Sequence, residues 1–208
     1  MSKTPPDGVL KPELWVKRPI SETLEFYTDW AASYDAEVTA RGYHTPRRLA
    51  EALVPLLADT PDPILDFGCG TGLSGMALRA AGIGPLHGTD VTPAMVAEAE
   101  PKRIYDALWV SEPGALDAGR GPYRAIVAAG VISLGAAPPD TMDILVNTLA
   151  PGQLLAMSFN DPTLVSGDYD AHLKTHLDAG RLSERFRAHG PHLDDVGMGS
   201  DVIVLQKR

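Results

Sequence analysis

Cysteine is nearly absent from this chain of 208 residues: Cys69 stands alone, so no internal disulfide can form. That suits a reducing compartment. Long apolar runs are missing too. No stretch near the amino terminus has the apolar length of a signal peptide, and none approaches the roughly 20 residues of a membrane-spanning helix. A cytoplasmic protein without a membrane partner is expected. Clustered positive charge is also lacking. The net charge is −9, and the cations are scattered in doublets such as Arg47-Arg48 and Lys102-Arg103. Binding a phosphate backbone needs a group of cations on one surface. Nucleic acid is therefore not expected as a partner, and a small-molecule acceptor is favoured. No internal repeat is visible.

What is present suits one globular domain. Hydrophobic residues make up 44% and charged residues 22%, near the average for folded proteins. Residues 1–20 carry Pro5, Pro6, Pro12 and Pro19 and little apolar pattern, as expected of a flexible arm. Ser21 is placed to cap a helix that Gly42 ends, with Tyr27, Trp30, Ala31, Tyr34 and Val38 along one face. Thr45-Pro46 reads as cap and first residue of a second helix, carrying Leu49, Leu53, Leu56 and Leu57.

From there strands and helices alternate. Strands are expected at 63–67, 85–90, 108–110, 123–131 and 153–159, and helices at 73–81, from Thr92-Pro93 to Pro101, and at 142–149. A helix over 168–182 precedes a weak strand near Phe186 and a better one at 202–206. This alternation predicts a doubly wound α/β fold with a mostly parallel, seven-stranded sheet, closed by an antiparallel hairpin at one edge. Ligands of such sheets bind beyond the carboxyl ends of the strands, where the loops after the first four strands lie.

The strongest chemical signal is Leu65-Asp66-Phe67-Gly68-Cys69-Gly70-Thr71-Gly72, between the first expected strand and its helix. Glycines let the backbone turn tightly and approach a ligand without a Cβ in the way. Asp90 closes the next strand, where a carboxylate can accept hydrogen bonds from both hydroxyls of a ribose.

These residues resemble the binding signature of class I S-adenosylmethionine-dependent methyltransferases, Asp66-x-Gly68-x-Gly70-x-Gly72 followed by an acid closing the second strand. Asp90-Val91-Thr92-Pro93-Ala94-Met95 resembles the family's Asp-x-Ser/Thr-x-x-Met segment. Leu149-Ala150-Pro151-Gly152-Gln153 is similar to its Leu-x-Pro-Gly-Gly turn, with Gln153 in place of the second glycine. Upstream, Phe26-Tyr27-x-x-Trp30-Ala31-x-x-Tyr34-Asp35 is similar to the lid helix of the Williams–Beuren-region methyltransferase-like branch.

The resemblance implies a Rossmann-like domain over residues 21–208: a helical lid in 21–60, a cofactor-binding core in 61–160, and a carboxyl-terminal helix and edge hairpin in 161–208. It implies S-adenosylmethionine as cofactor. Asp66 and the loop Gly68, Cys69, Gly70, Thr71 and Gly72 would hold the methionine end, and Asp90 the ribose. Val91 and Met95 would flank the adenine, with Ser111 and Glu112 at its edge. Ala129 and Gly130 would lie beside the sulfonium, and Tyr27, Trp30 and Tyr34 would close the pocket.

Gly70-x-Gly72-x-x-Gly75 also fits a dinucleotide-binding pattern, with Asp90 twenty positions after Gly70. An NAD-dependent oxidoreductase is thus an alternative, but an acid entering the loop would repel a pyrophosphate and attract an ammonium and a sulfonium. A non-catalytic S-adenosylmethionine-binding module is a third reading. His172 and His176 share a helix face, but no third ligand is evident in the sequence, so no metal is expected. No catalytic base is identified; His44 is one candidate, and Cys69 lacks a partner that would activate it.

Overall fold

A computed structural model describes residues 15–116 and 121–208. Most of the expected arm, residues 1–14, lies outside the described residues. The elements are α1 (Ile20–Ala40), α2 (Thr45–Leu53), β1 (Ile64–Phe67), α3 (Leu73–Ala80), β2 (Leu86–Asp90), α4 (Pro93–Ala99), β3 (Ala107–Val110), β4 (Ala125–Ala128), α5 (Thr141–Thr148), β5 (Leu154–Asn160), α6 (Asp161–Ser166), α7 (Asp168–Asp178), β6 (Leu182–Leu193) and β7 (Met198–Lys207).

The seven strands form one sheet in the order β3-β2-β1-β4-β5-β7-β6. The first five are parallel, and β7 runs antiparallel between β5 and β6. Side chains alternate across each strand, which divides the core in two. Leu65, Ile126, Leu155 and Phe159 pack with Met142 and Leu145 of α5 and Leu173 of α7. Ile64, Val127 and Ala156 face the other way, toward Leu49 and Leu53 of α2 and Leu78 of α3. The strand order reverses between β1 and β4, so their carboxyl ends diverge and open a crevice there.

The expected hairpin is present but larger than its local pattern showed. β6 spans twelve residues, of which Glu184, Arg185 and Phe186 are exposed. It is the edge of the sheet, where charged side chains are tolerated and no apolar alternation is needed. The helix over 168–182 ends instead at Asp178, and Leu182 opens β6. The strand over 123–131 is shorter, Ala125–Ala128.

Two caps also differ. α1 starts at Ile20 after Pro19, not at a Ser21 cap. Thr45 is the first residue of α2, and its hydroxyl is buried against His192 and Ser200 rather than capping the helix. A further helix, α6, follows β5 directly. Asn160 caps it, its Oδ1 accepting from Thr163 N at 3.1 Å, and Pro162 stands in its first turn.

Candidate cofactor and acceptor site

Glycine geometry builds the floor of the crevice. Gly68, Gly70 and Gly72 all have positive φ, at 67°, 53° and 96°, a region costly for other residues. A Cβ at Gly70 would meet nothing within 4 Å, so this part of the loop is open to a ligand. Asp90 fastens the loop. Gly70 N–H donates to its Oδ2 at 2.9 Å, and Thr92 N–H donates to its Oδ1 at 2.8 Å. Each oxygen keeps a lone pair for a further donor. Burial raises the Asp90 carboxyl above its usual range, while the Thr92 and Gly70 amides oppose that shift.

Of the residues expected to hold a cofactor, Gly68, Gly70, Asp90, Val91, Met95, Ser111, Ala129 and Gly130 line the crevice, with Tyr27 and Tyr34 of α1 over it. Sequence reading missed Thr23, one turn before Tyr27, Pro113 and Gly114 after β3, Pro138 after β4, and Thr141 at the start of α5. Thr23 lies at i−4 on the stripe that pointed to Tyr27, and this spacing was the available signal.

Other expected residues lie elsewhere. Trp30 is only 3% exposed, inside the aromatic cluster of the cover, with Tyr27 stacked on it and the Tyr34 ring edge-on at 4.6 Å. Glu112 is exposed and outside the lining, and its neighbours Pro113 and Gly114 take its place. Gly72 caps α3, and Cys69 is buried, which pushes its thiol well above its ordinary range. Thr71 turns to α1, its hydroxyl donating to Asp35 Oδ1 at 2.5 Å.

Asp66 also differs. Alternation along β1 puts it on the face of Ile64, beneath α3. There its Oδ2 accepts from Ser74 Oγ and Tyr105 Oη, each at 2.7 Å, and the residue is fully buried. Burial raises this carboxyl to about 6, against the two hydroxyl bonds. The Asp66 carboxylate therefore braces the loop from behind and is not among the groups lining the crevice. Tyr105 explains Gly75 as well: a Cβ there would lie 2.4 Å from the Tyr105 hydroxyl. The third glycine of the dinucleotide-like pattern thus makes room for a tyrosine.

A nucleoside carrying a cationic sulfonium suits this crevice. Asp90 is the one charged side chain among the described lining residues, and no Lys or Arg is present to meet a pyrophosphate. Two lining hydroxyls, Thr23 Oγ1 and Ser111 Oγ, are buried without a hydrogen-bond partner among the described residues. A ligand rich in polar edges would satisfy them.

Residues 41–193 match the family described as "Methyltransferase domain". The chain belongs to this family. It is 33% identical to the human methyltransferase-like protein 27 over 143 residues, covering 67% of this chain and 58% of the human protein. The chain thus aligns with less than two thirds of that relative's length. Its fold matches the methyltransferase in a Haloferax volcanii complex with the Trm112 methyltransferase activator, with a TM-score of 0.65, 20% identity and coverage of 87% and 97% of the two chains. It also matches magnesium protoporphyrin IX methyltransferase from Synechocystis PCC 6803 with bound S-adenosylmethionine, with a TM-score of 0.64, 16% identity and coverage of 89% and 97%. Family and fold agree with the crevice, and a methyltransferase domain counts against the nicotinamide alternative. No helix among the described residues is long and apolar enough to cross a membrane.

A second cavity adjoins the first. Tyr27, Tyr34 and Gly130 line both, and the second is also lined by Trp15, Trp30, Tyr43, Ser133, Asn160 and His192 together with the aliphatic Val38, Leu134 and Leu193. His192 Nδ1 is 2.7 Å from Thr45 Oγ1, which is 2.8 Å from Ser200 Oγ, where Arg48 also donates at 3.0 Å. Burial lowers the His192 imidazole to about 4, so the ring is neutral at physiological pH. His44 is outside both linings; its Nε2 is 2.6 Å from Asp194 Oδ2.

Proposed function

We propose that this chain transfers the methyl group of S-adenosylmethionine to a small, uncharged, aromatic acceptor held in the second cavity. The observation that carries this reading is the position of Gly130, which is common to both linings. An acceptor atom beside Gly130 would approach the methyl carbon from the side opposite the sulfur. S-adenosylmethionine supplies an electrophilic methyl on a good leaving group, so the protein has mainly to align the partners and exclude water.

Aromatic walls and the lack of any Asp, Glu, Lys or Arg in the described lining of the second cavity favour a neutral ring. A charged acceptor would lose its hydration there without a counter-charge. Nucleic acid is disfavoured on the same ground. With Nδ1 engaged by Thr45, His192 has Nε2 left to address the polar atom of the acceptor. Asn160 spends its Oδ1 on Thr163 and keeps its amide N–H groups for the same purpose.

The test is calorimetry on protein saturated with S-adenosylhomocysteine, using 2-naphthol and 2-naphthoate as probes. The naphthol should bind and the naphthoate should bind at least about tenfold more weakly, a difference of roughly 1.4 kcal/mol. Equal or tighter naphthoate binding overturns the acceptor class. Failure of S-adenosylhomocysteine itself to bind would strike the cofactor reading instead. A non-catalytic module would bind it and form no product from any acceptor.

A further inference from the structure

Far from the glycine loop in sequence, α5 and α7 pack on one face of the sheet. Asp143 stands in the first turn of α5, and His172 and His176 lie one turn apart on α7. The spacing of four puts both imidazoles on one helix face. They meet the two oxygens of a single carboxylate. His172 Nε2 is 3.2 Å from Asp143 Oδ2, and His176 Nε2 is 3.0 Å from Oδ1. One ligand atom from each of the three residues falls within a sphere of contacts no wider than 4.8 Å.

Distance alone would make these contacts hydrogen bonds, but their directions do not. Both Nε2 atoms, and Nδ1 of His176, are buried without a hydrogen-bond partner among the described residues. The His176 side chain is 0% exposed. A buried imidazole with both nitrogens unpaired is unfavourable. A cation shared by the three groups would satisfy His176 Nε2 and His172 Nε2 and would neutralise Asp143.

We propose that Asp143, His172 and His176 bind one divalent transition-metal ion, with zinc the best fit. Two imidazoles and one carboxylate form a nitrogen-rich set, unsuited to calcium or magnesium, which prefer oxygen. Zinc holds such ligands at about 2.0–2.1 Å in a tetrahedron, which puts neighbouring ligand atoms roughly 3.3 Å apart; the two imidazole–carboxylate distances, 3.2 and 3.0 Å, are near this. Water takes the fourth position. The ion would tie α7 to the start of α5, two residues from Thr141, which lines the cofactor crevice. Its role is that of a clamp beside the active site; methyl transfer needs no step through it.

The test uses the full chain, freed of metal by chelator and titrated with Co²⁺. Tetrahedral cobalt should give visible absorption at one ion per chain, and Zn²⁺ should bleach it. His172 and Asp143 are partly exposed, so His172→Gln and Asp143→Asn are the variants that should keep the fold, checked by S-adenosylhomocysteine binding. Each should weaken Co²⁺ binding by at least about tenfold, since even groups behind the ligands of a metal act on that scale. Zn²⁺ should raise the Tm of the native chain and of neither variant. His189→Gln, which alters the separate pairing of His189 with Asp201, should leave Co²⁺ binding unchanged. No absorption band, or a band of equal affinity in both ligand variants, overturns the site and leaves a metal-free His–Asp–His cluster.

Discussion

Asp35 on the cover helix is ion-paired with Lys102, and both hold Thr71 of the glycine loop. Thr71 Oγ1 donates to Asp35 at 2.5 Å, and Lys102 Nζ donates to the Thr71 carbonyl oxygen at 2.6 Å. The triangle latches the cover to the cofactor loop. Both charged partners are partly exposed, so the pair contributes about 1 kcal/mol or less to global stability. Asp35→Ala should therefore leave Tm nearly unchanged. Amide exchange in residues 20–40 should rise, and S-adenosylhomocysteine should dissociate faster. If neither changes, the cover is held by its aromatic packing alone.

Asp90 joins two backbone amides and faces the crevice. Under the ribose assignment, replacing it by Ala removes a charged acceptor, at roughly 1.5–3 kcal/mol for each bond lost, without full additivity. Affinity for S-adenosylhomocysteine should fall by about 2–4 kcal/mol in calorimetry. The sheet should still form, since β2 pairs with β1 and β3 through its backbone, but some stability is lost with the Gly70 and Thr92 amides left unpaired. A folded variant with native affinity would remove Asp90 from the ribose site.

Asp66 carries a pH signature. Burial raises its carboxyl from 3.8 to about 6 in the folded chain. Between about pH 4 and 6 the folded state retains a proton that the unfolded state has released, so stability falls as pH rises through this window. The loss is of order 3 kcal/mol at most, at about 1.4 kcal/mol per unit. Asp66→Asn removes this contribution. In urea unfolding, the variant should gain on the native chain between pH 4 and pH 7. A constant difference over that range would contradict the burial argument.

Gly130 has a φ of 72°, and a Cβ there would lie 3.1 Å from the Tyr43 hydroxyl. Gly130→Ala should cost about 1 kcal/mol of stability from the backbone alone. It also intrudes where the two cavities meet. Turnover should fall by more than tenfold, roughly 1.4 kcal/mol of barrier, with a smaller loss of S-adenosylhomocysteine affinity. Equal losses in both would place Gly130 in cofactor binding only.

Several features were readable before any coordinates. Leu65 to Gly72, then Asp90, marked strand, loop and strand end because tight turns and positive φ are local steric demands. Alternating strand and helix patterns over residues 63–159 indicated a parallel sheet, because side-chain periodicity is also local and strands joined by helices pair in parallel. α6 was legible but passed over: Asn160-Asp161-Pro162 is a cap-and-proline start, though six residues are too few for helical periodicity to register. β6 left little trace because an exposed edge strand needs no apolar alternation.

Partners distant in sequence were decided by tertiary packing. The motif located Asp66, but the pleat of β1 turned it toward Ser74 and Tyr105, 39 positions away in the case of Tyr105. The aromatic stripe located Tyr27, Trp30 and Tyr34, but the seating of α1 put Tyr27 and Tyr34 at both cavities and Trp30 at the second alone. His172 and His176 could be paired from their spacing, whereas Asp143 joins them only because α5 and α7 share one face of the sheet. Dihedral preferences and periodicity act over a few residues and are written in the chain. Which side chain meets which across the sheet depends on how whole helices pack, and no local pattern encodes that.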